Sequence, residues 1–376
     1  MKILIIQPWI KAGGSEGVSA CLAFHLGQKG HQVELAALFT DFRGVSPKAR
    51  QVKYITPGRK IARLCQKNQL FFLLFGPLVL FCLVFKNSDK KTVLQPHNLP
   101  SYWVAVLVGW FKKIPVVWLC SEPPAKVKIK EQGFLKALAW AVAASTLDKS
   151  FVKMIDKIIV FSSKSQKWVK KRYGKEAVIV NAPPDFEFFS RGKIKRKGNK
   201  FVLLTVGKLY EIKNQIVCLE ALKLVESKIP EAILFVVGRG ANEQILKAKS
   251  KALGLQKKVK FLGFVSSKGL RDLYWSADIN LFPAFKQSWG LTPLEALSAK
   301  TISIVSDEAG VGELLEKEKI GLVCPARPQA FAKHIWQVYQ NKNRFEKMAE
   351  KGYLWLKKNM NWQKFTEEVL EVIKNQ

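Results

Sequence analysis

Asp278-Ile279-Asn280-Leu281-Phe282-Pro283, followed by Gln287-Ser288-Trp289-Gly290-Leu291-Thr292-Pro293-Leu294-Glu295-Ala296-Leu297, reads as a strand, a glycine-containing loop and the opening of a helix. Pro293 suits a first helical turn, where its missing N–H is not needed. A strand end, a loop and a helix N-terminus in that order favour an anion, because free backbone N–H groups and the helix dipole act together. Just upstream, Val259-Lys260-Phe261-Leu262-Gly263 is a further strand, and Ser266 or Ser267 can cap a helix over 270–276.

Working outward, the chain repeats this grammar. Phe201-Val202-Leu203-Leu204-Thr205-Val206 runs into Gly207, a helix is expected near 215–227, and Ile233-Leu234-Phe235-Val236-Val237 runs into Gly238-Arg239-Gly240. The N-terminal half opens in the same way. Ile3-Leu4-Ile5-Ile6 precedes Gly13-Gly14, a helix over 18–29 stops at Gly30, and Val33-Glu34-Leu35-Ala36 follows. Short, near-continuous apolar strands between amphipathic helices predict parallel sheets covered on both faces, hence two doubly wound α/β domains. The basic, glycine-flanked stretch 191–198 is the linker expected between them.

The 376 residues suit two domains, and 48% hydrophobic content argues against disorder. A formal net charge of +33 calls for anionic partners: nucleic acid, an anionic membrane or phosphate-bearing ligands. The apolar opening reads as a buried strand, too short for a signal peptide. The six Cys contain no C-x-x-C pair, which predicts free thiols in a reducing cytosol. The four His make no metal-ligand cluster with Cys, so no structural zinc is expected.

Residues 70–85 are apolar throughout except at Gly76-Pro77, which is expected to break the run. Three readings stay open: a buried core helix, a helix dipping into one leaflet, or a true span. The flanking Lys60, Arg63, Lys67, Lys86, Lys90 and Lys91 suit an anionic membrane face. Tyr102 to Phe111 adds apolar and aromatic residues nearby, before Lys112-Lys113.

Candidate ligand residues gather in the second half. Lys208 and Lys213 lie just past the strand ending at Val206, where mobile point charges suit a phosphate; solvated lysines are the alternative in so lysine-rich a chain. Gly238 sits in a lone G-x-G, a weak signal. Glu295, one turn inside its helix, can accept hydrogen bonds from vicinal hydroxyls such as those of a ribose, or can simply be a solvated helix residue.

Taken in order, Gly207-Lys208-Leu209, Lys213-Asn214, Gly238-Arg239-Gly240, Trp289 to Ala296 and Gly310 to Glu313 resemble the family 4 retaining glycosyltransferases of the GT-B fold. The resemblance is strong over 201–332 and weaker in Gly13-Gly14-Ser15-Glu16, Val160-Phe161-Ser162-Ser163 and Asn181. It implies an acceptor-binding Rossmann-like domain over 1–190, a nucleotide-sugar-binding one over 191–355, a C-terminal helix over 356–376 packing back toward the first, and an active site in a cleft. Lys208 and Lys213 match the pair that holds the donor diphosphate, and Glu295 matches the ribose ligand. The donor set is completed by Gly207, Gly238, Trp289, Gly290, Leu291 and Thr292. Gln287 stands where the family usually has a glutamate touching the donor sugar, so it keeps hydrogen-bonding capacity without charge. Where many relatives have a cleft histidine the chain reads Leu119-Cys120-Ser121-Glu122. Gly13, Gly14, His97, Ser121 and Glu122 are therefore the acceptor-side candidates.

The function this implies is transfer of a hexose-type unit, with retention, from a nucleotide diphosphate sugar to a hydroxyl acceptor, a lipid-linked glycan or other membrane-associated glycoconjugate, by an enzyme needing no metal. No Asp-x-Asp motif occurs. A peripheral place on the cytoplasmic membrane face follows from the basic and apolar N-terminal half. The alternatives are a weakly active or inactive sugar-nucleotide-binding relative serving as partner subunit, and a basic nucleic-acid-binding protein. Spread-out lysines and the lack of a nucleic-acid motif weigh against the latter.

Overall fold

The computed structural model describes all residues but 12, 43–44, 122–146, 193–197 and 376. They form two compact units: Met1–Asn181 with Trp362–Gln376, and Ala182–Asn361.

In the first unit β1 (Lys2–Ile6), β2 (Gln32–Ala36), β3 (Lys53–Ile55) and β4 (Thr92–Pro96) form a sheet in the order β3-β2-β1-β4. Every pairing is parallel, and Ile5 and Ile6 stand beside Gln95 and Pro96. A second parallel sheet, β5 (Val117–Leu119), β6 (Lys157–Val160) and β7 (Val178–Ile179), joins it through a bridge between Leu94 and Val116. The helices used below are α1 (Gly14–Gln28), α2 (Arg59–Lys67), α3 (Gln69–Asn87) and α4 (Ser101–Lys112). Helix α1 starts four residues before the expected 18, with Gly17 N–H bonded to the Gly13 carbonyl at 3.0 Å. Helix α3 is not broken at Gly76-Pro77, contrary to expectation. Proline removes one N–H from the ladder. Gly76, Leu80 and Val84, four apart and all buried, hold the helix across that gap, with Leu38 against Gly76. The helix Trp362–Lys374 closes the unit through a Lys29–Glu367 ion pair of 2.6 Å and a His25–Trp362 ring stack at 5.6 Å.

In the second unit β8 (Phe201–Val206), β9 (Ala232–Val237), β10 (Val259–Gly263), β11 (Ile279–Phe282), β12 (Ile302–Ser306) and β13 (Leu322–Cys324) are all parallel, in the order β10-β9-β8-β11-β12-β13. Strands β9 and β12 are buried at every position, as unbroken apolar runs demand when both faces are covered. The chain reverses its direction of winding between β8 and β11, and ligands in such sheets lie at the carboxyl ends of strands flanking that point. Helices α5 (Phe186–Ser190), α6 (Ser267–Ser276), α7 (Leu291–Ser298) and α8 (Gly310–Glu318) belong here. Between the two serines considered for capping α6, Ser266 is the one, its Oγ accepting from Gly269 N–H at 3.2 Å.

The division falls at Asn181/Ala182 and Asn361/Trp362 rather than at 190/191 and 355/356. The reason is packing. Phe189 of α5 stacks edge-on against Tyr274 at 5.6 Å, its carbonyl accepts from Trp275 Nε1 at 2.7 Å, and Trp289 Nε1 donates to the Ala182 carbonyl at 2.9 Å. Residues 182–190 are thus built into the second core. Gly192, expected in the linker, lies against the Trp275 indole, where a Cβ would come within 2.0 Å.

Candidate functional site

The loops leaving β8 and β11 meet at the carboxyl edge of the second sheet. Gly238, at φ +131, approaches the Gly207 carbonyl so closely that a Cβ would sit 1.9 Å from it, so only glycine fits. The turn Glu211–Lys213 ends on Asn214 in the left-handed region, whose Nδ2 donates to the Pro283 carbonyl at 3.2 Å. Phe285 N–H bonds the Ile212 carbonyl at 2.8 Å. These two bonds staple the β8 loop to the β11 loop across the winding reversal.

That staple brings together several of the residues singled out by sequence. Lys213 Nζ donates to Gln287 Oε1 and lies 5.9 Å from the Phe282 ring centroid. Gln287 is buried, and its carbonyl accepts from Gly310 N–H at the start of α8, at 2.9 Å. Lys208 is exposed, its carbonyl held by Gln215 Nε2 at 3.1 Å. Gly290, at φ +149, caps α7, and a Cβ there would meet Val311 at 2.9 Å. Trp289 is buried, and Leu291 and Thr292 are half-buried in the first turn. Thr292 Oγ1 has no hydrogen-bond partner among the described residues. A charged lysine pair therefore shares one sheet edge with a helix N-terminus, an arrangement suited to a diphosphate.

Glu295 is not the solvated helix glutamate of the alternative reading. Its Oε2 accepts from the Tyr274 hydroxyl at 2.8 Å. Burial pushes its carboxyl up to about 7, neighbouring Asp185 adds to the rise, and the Tyr274 hydrogen bond opposes it. Sequence reasoning missed both Tyr274 and Asp185. The signal that existed was weak: Tyr274 is one of two adjacent aromatics on a short amphipathic helix.

The first unit shows a different edge. His97, just past the end of β4, is buried, both its ring nitrogens lack partners among the described residues, and burial pushes it down to about 3, so it is neutral. Gln95, two residues earlier, shares its face of the sheet. Gln7 follows Ile6 as His97 follows Pro96, and His97 N–H bonds the Ile6 carbonyl at 3.0 Å. Both amides are fully buried without partners among the described residues, and Ser101 Oγ is likewise unpartnered. Gln7 and Gln95 were missed, although a polar residue closing an apolar strand run was readable. Asn98 Nδ2 donates to Ser15 Oγ at 2.9 Å, tying the loop after β4 to the start of α1 beside Gly13 and Gly14. Ser121 is buried at the end of β5. Glu122 lies outside the described residues.

Comparison with known proteins fits this geometry. Residues 186–355, nearly the whole second unit, match the family model for glycosyl transferases group 1. The putative glycosyltransferase EpsD of Bacillus subtilis is 29% identical over 153 residues, a stretch spanning 40% of this chain and 40% of that protein's length. A phosphatidyl-myo-inositol mannosyltransferase of Mycobacterium tuberculosis is 25% identical over 340 residues, 87% of this chain and 83% of that one. The crystal structure of Anabaena Alr3699/HepE with UDP and glucose superposes with a TM-score of 0.76 at 17% identity, covering 100% of both chains. The second unit thus carries the glycosyl transferases group 1 match over residues 186–355, and the chain as a whole shares the GT-B fold of its glycosyltransferase neighbours.

Proposed function

We propose that the protein transfers a hexose-type sugar, with retention, from a nucleotide diphosphate sugar to a hydroxyl of a membrane-associated glycan. The observation that carries this is the stapled edge of the second unit, where Lys208, Lys213 and the α7 N-terminus share one sheet edge. Charge builds on the diphosphate as its bond to the sugar breaks. Lys208, Lys213 and the N–H groups of Gly290 and Leu291 would neutralise that charge without a metal ion. Glu295 would take the ribose hydroxyls and Gln287 the sugar. Gln7, Gln95 and His97, neutral and unpartnered among the described residues, would serve acceptor hydroxyls from the first unit, as uncharged donors and acceptors suit polyols. HepE with bound UDP and glucose supports the donor class.

One observation favours a second reading, a sugar-nucleotide-binding relative of low turnover that acts as a partner subunit. Lys213 is already hydrogen-bonded to the amide of Gln287, where the family usually has a carboxylate. The deciding experiment offers purified protein a panel of nucleotide diphosphate sugars and glycolipid acceptors, in excess chelator. Nucleoside diphosphate release with an α product from an α-linked donor is expected. Activity restored only by Mg²⁺ or Mn²⁺, or an inverted product, would overturn the proposal. Tight donor binding with no transfer would establish the second reading.

A further inference from the structure

Helix α3 has two apolar faces, and the structure covers only one. Gly76, Leu80 and Val84 point into the core of the first unit, and Phe72 and Val79 pack beside them. On the opposite side Leu70, Leu74, Leu78, Cys82 and Phe85 form an outward stripe at spacings of four, four, four and three. Leu74 is 63% exposed and Leu78 60%. The stripe continues onto the last turn of α4, where Trp110 is 63% exposed and Phe111 61%. Phe81 links them, packing on Phe85 at 5.6 Å and on Phe111 at 6.3 Å. A contiguous apolar surface of this extent on a protein marks a place where something binds.

Charge identifies the occupant. Between residues 59 and 113 there are nine basic side chains, Arg59, Lys60, Arg63, Lys67, Lys86, Lys90, Lys91, Lys112 and Lys113, against one acidic, Asp89. Asp89 is itself paired with Lys2 at 3.1 Å. The basic groups lie on α2, at the end of α3 and at the end of α4, so they rim the stripe, and those of α2 and α3 are exposed. A second copy of the chain would bring this basic rim against its like. A neutral apolar partner would leave it unused. A bilayer carrying anionic headgroups meets both the stripe and the rim.

We infer that the outward face of α3, together with Trp110 and Phe111, lies in the headgroup and upper acyl region of an anionic membrane. The helix does not span. By length and composition it qualifies, with a mean hydropathy of 2.1, but its inner face is packed on the folded unit and cannot meet lipid. The orientation parallel to the surface follows from the rim, which flanks the stripe at both ends of the helix. This docking stands apart from the transfer reading, since it needs no donor.

The test is co-sedimentation of the whole protein with phosphatidylcholine vesicles, with and without phosphatidylglycerol. Binding should need phosphatidylglycerol and fall roughly tenfold or more between low and high salt, as screening shortens the reach of the lysines. The triple variant Leu70→Gln, Leu74→Gln, Leu78→Gln changes only outward side chains, so its melting temperature should match the parent's while vesicle binding drops at least about tenfold. Trp110 should move to lower polarity on binding, read as a fluorescence blue shift missing from Trp110→Phe. Absence of vesicle binding at low salt, unchanged binding by the triple variant, or retention in membranes through alkaline carbonate extraction would each overturn the inference. So would a dimer in solution that the triple variant dissolves.

Discussion

The two units use one winding scheme for two kinds of edge. In each, four strands in the order three-two-one-four place a pair of loops at the carboxyl end of the sheet, where the direction of winding reverses. At the second unit's edge the residues are charged and engaged: Lys213 holds Gln287, Asn214 holds Pro283, and Tyr274 holds Glu295. At the first unit's edge they are neutral, buried and without partners among the described residues, namely Gln7, Gln95 and His97. The fold therefore supplies the place and leaves the chemistry to a handful of side chains. One edge is organised around a fixed positive charge. The other holds hydrogen-bonding capacity that is unspent among the described residues.

The sharpest way to break this contrast is Lys213→Ala. Under the proposed function it removes a charge acting on the leaving diphosphate, so kcat/KM should fall by a factor of roughly 30 to 900, about 2–4 kcal/mol, in steady-state transfer assays. Near parent values would mean that the charged edge is not where the diphosphate sits.

The first unit's edge predicts the opposite trade. Replacing a buried polar group that lacks a partner with an apolar group of like shape relieves a desolvation cost of about 1–3 kcal/mol. Gln95→Leu should therefore raise the denaturation midpoint by about 1 kcal/mol of stability while weakening transfer to the acceptor. A variant that is less stable than the parent would show Gln95 to be satisfied in solution, and the contrast between the edges would fail there.

Much of this was legible before any coordinates. Apolar runs ending in glycine announced the parallel strands, and Pro293 after Gly290 announced the α7 N-terminus. Lys208 and Lys213 were readable as a pair because both follow one strand closely. What escaped was whatever depends on long-range packing. No local pattern tells that Phe189 belongs to the second core, nor that Pro77 sits inside an unbroken helix held by Leu38 and the inward stripe. The Tyr274–Glu295 bond joins residues on different helices, and Gln7 comes level with His97 only through strand register.

A further expected effect concerns pH. The folded state raises the Glu295 carboxyl from 4.5 to about 7, so it binds a proton more tightly than the unfolded chain does. The associated stability is full below about 4.5 and is lost as pH rises through 7. Glu295→Gln should flatten this dependence, gaining roughly 1–2 kcal/mol on the parent at pH 8 relative to pH 5, less than the whole shift because the residue is partly exposed. Calorimetric melts across that range measure it. A parent that grows more stable from pH 5 to 8 through this residue would reverse the sign and show the carboxylate to be charged and well paired.

The return of Trp362–Lys374 to the first unit has a consequence for synthesis. The Lys29–Glu367 pair and the His25–Trp362 stack join residues on either side of the 180 positions, 182–361, that make the other unit. A ribosome adding roughly 5–20 residues per second needs about 10–40 s to cross that interval. During that time the first sheet has left the exit tunnel without its closing helix, its α1 surface bare, while the second unit can already be folding. The first unit is thus finished only after the second has been made, and its completion reports that translation has passed through the whole of its partner.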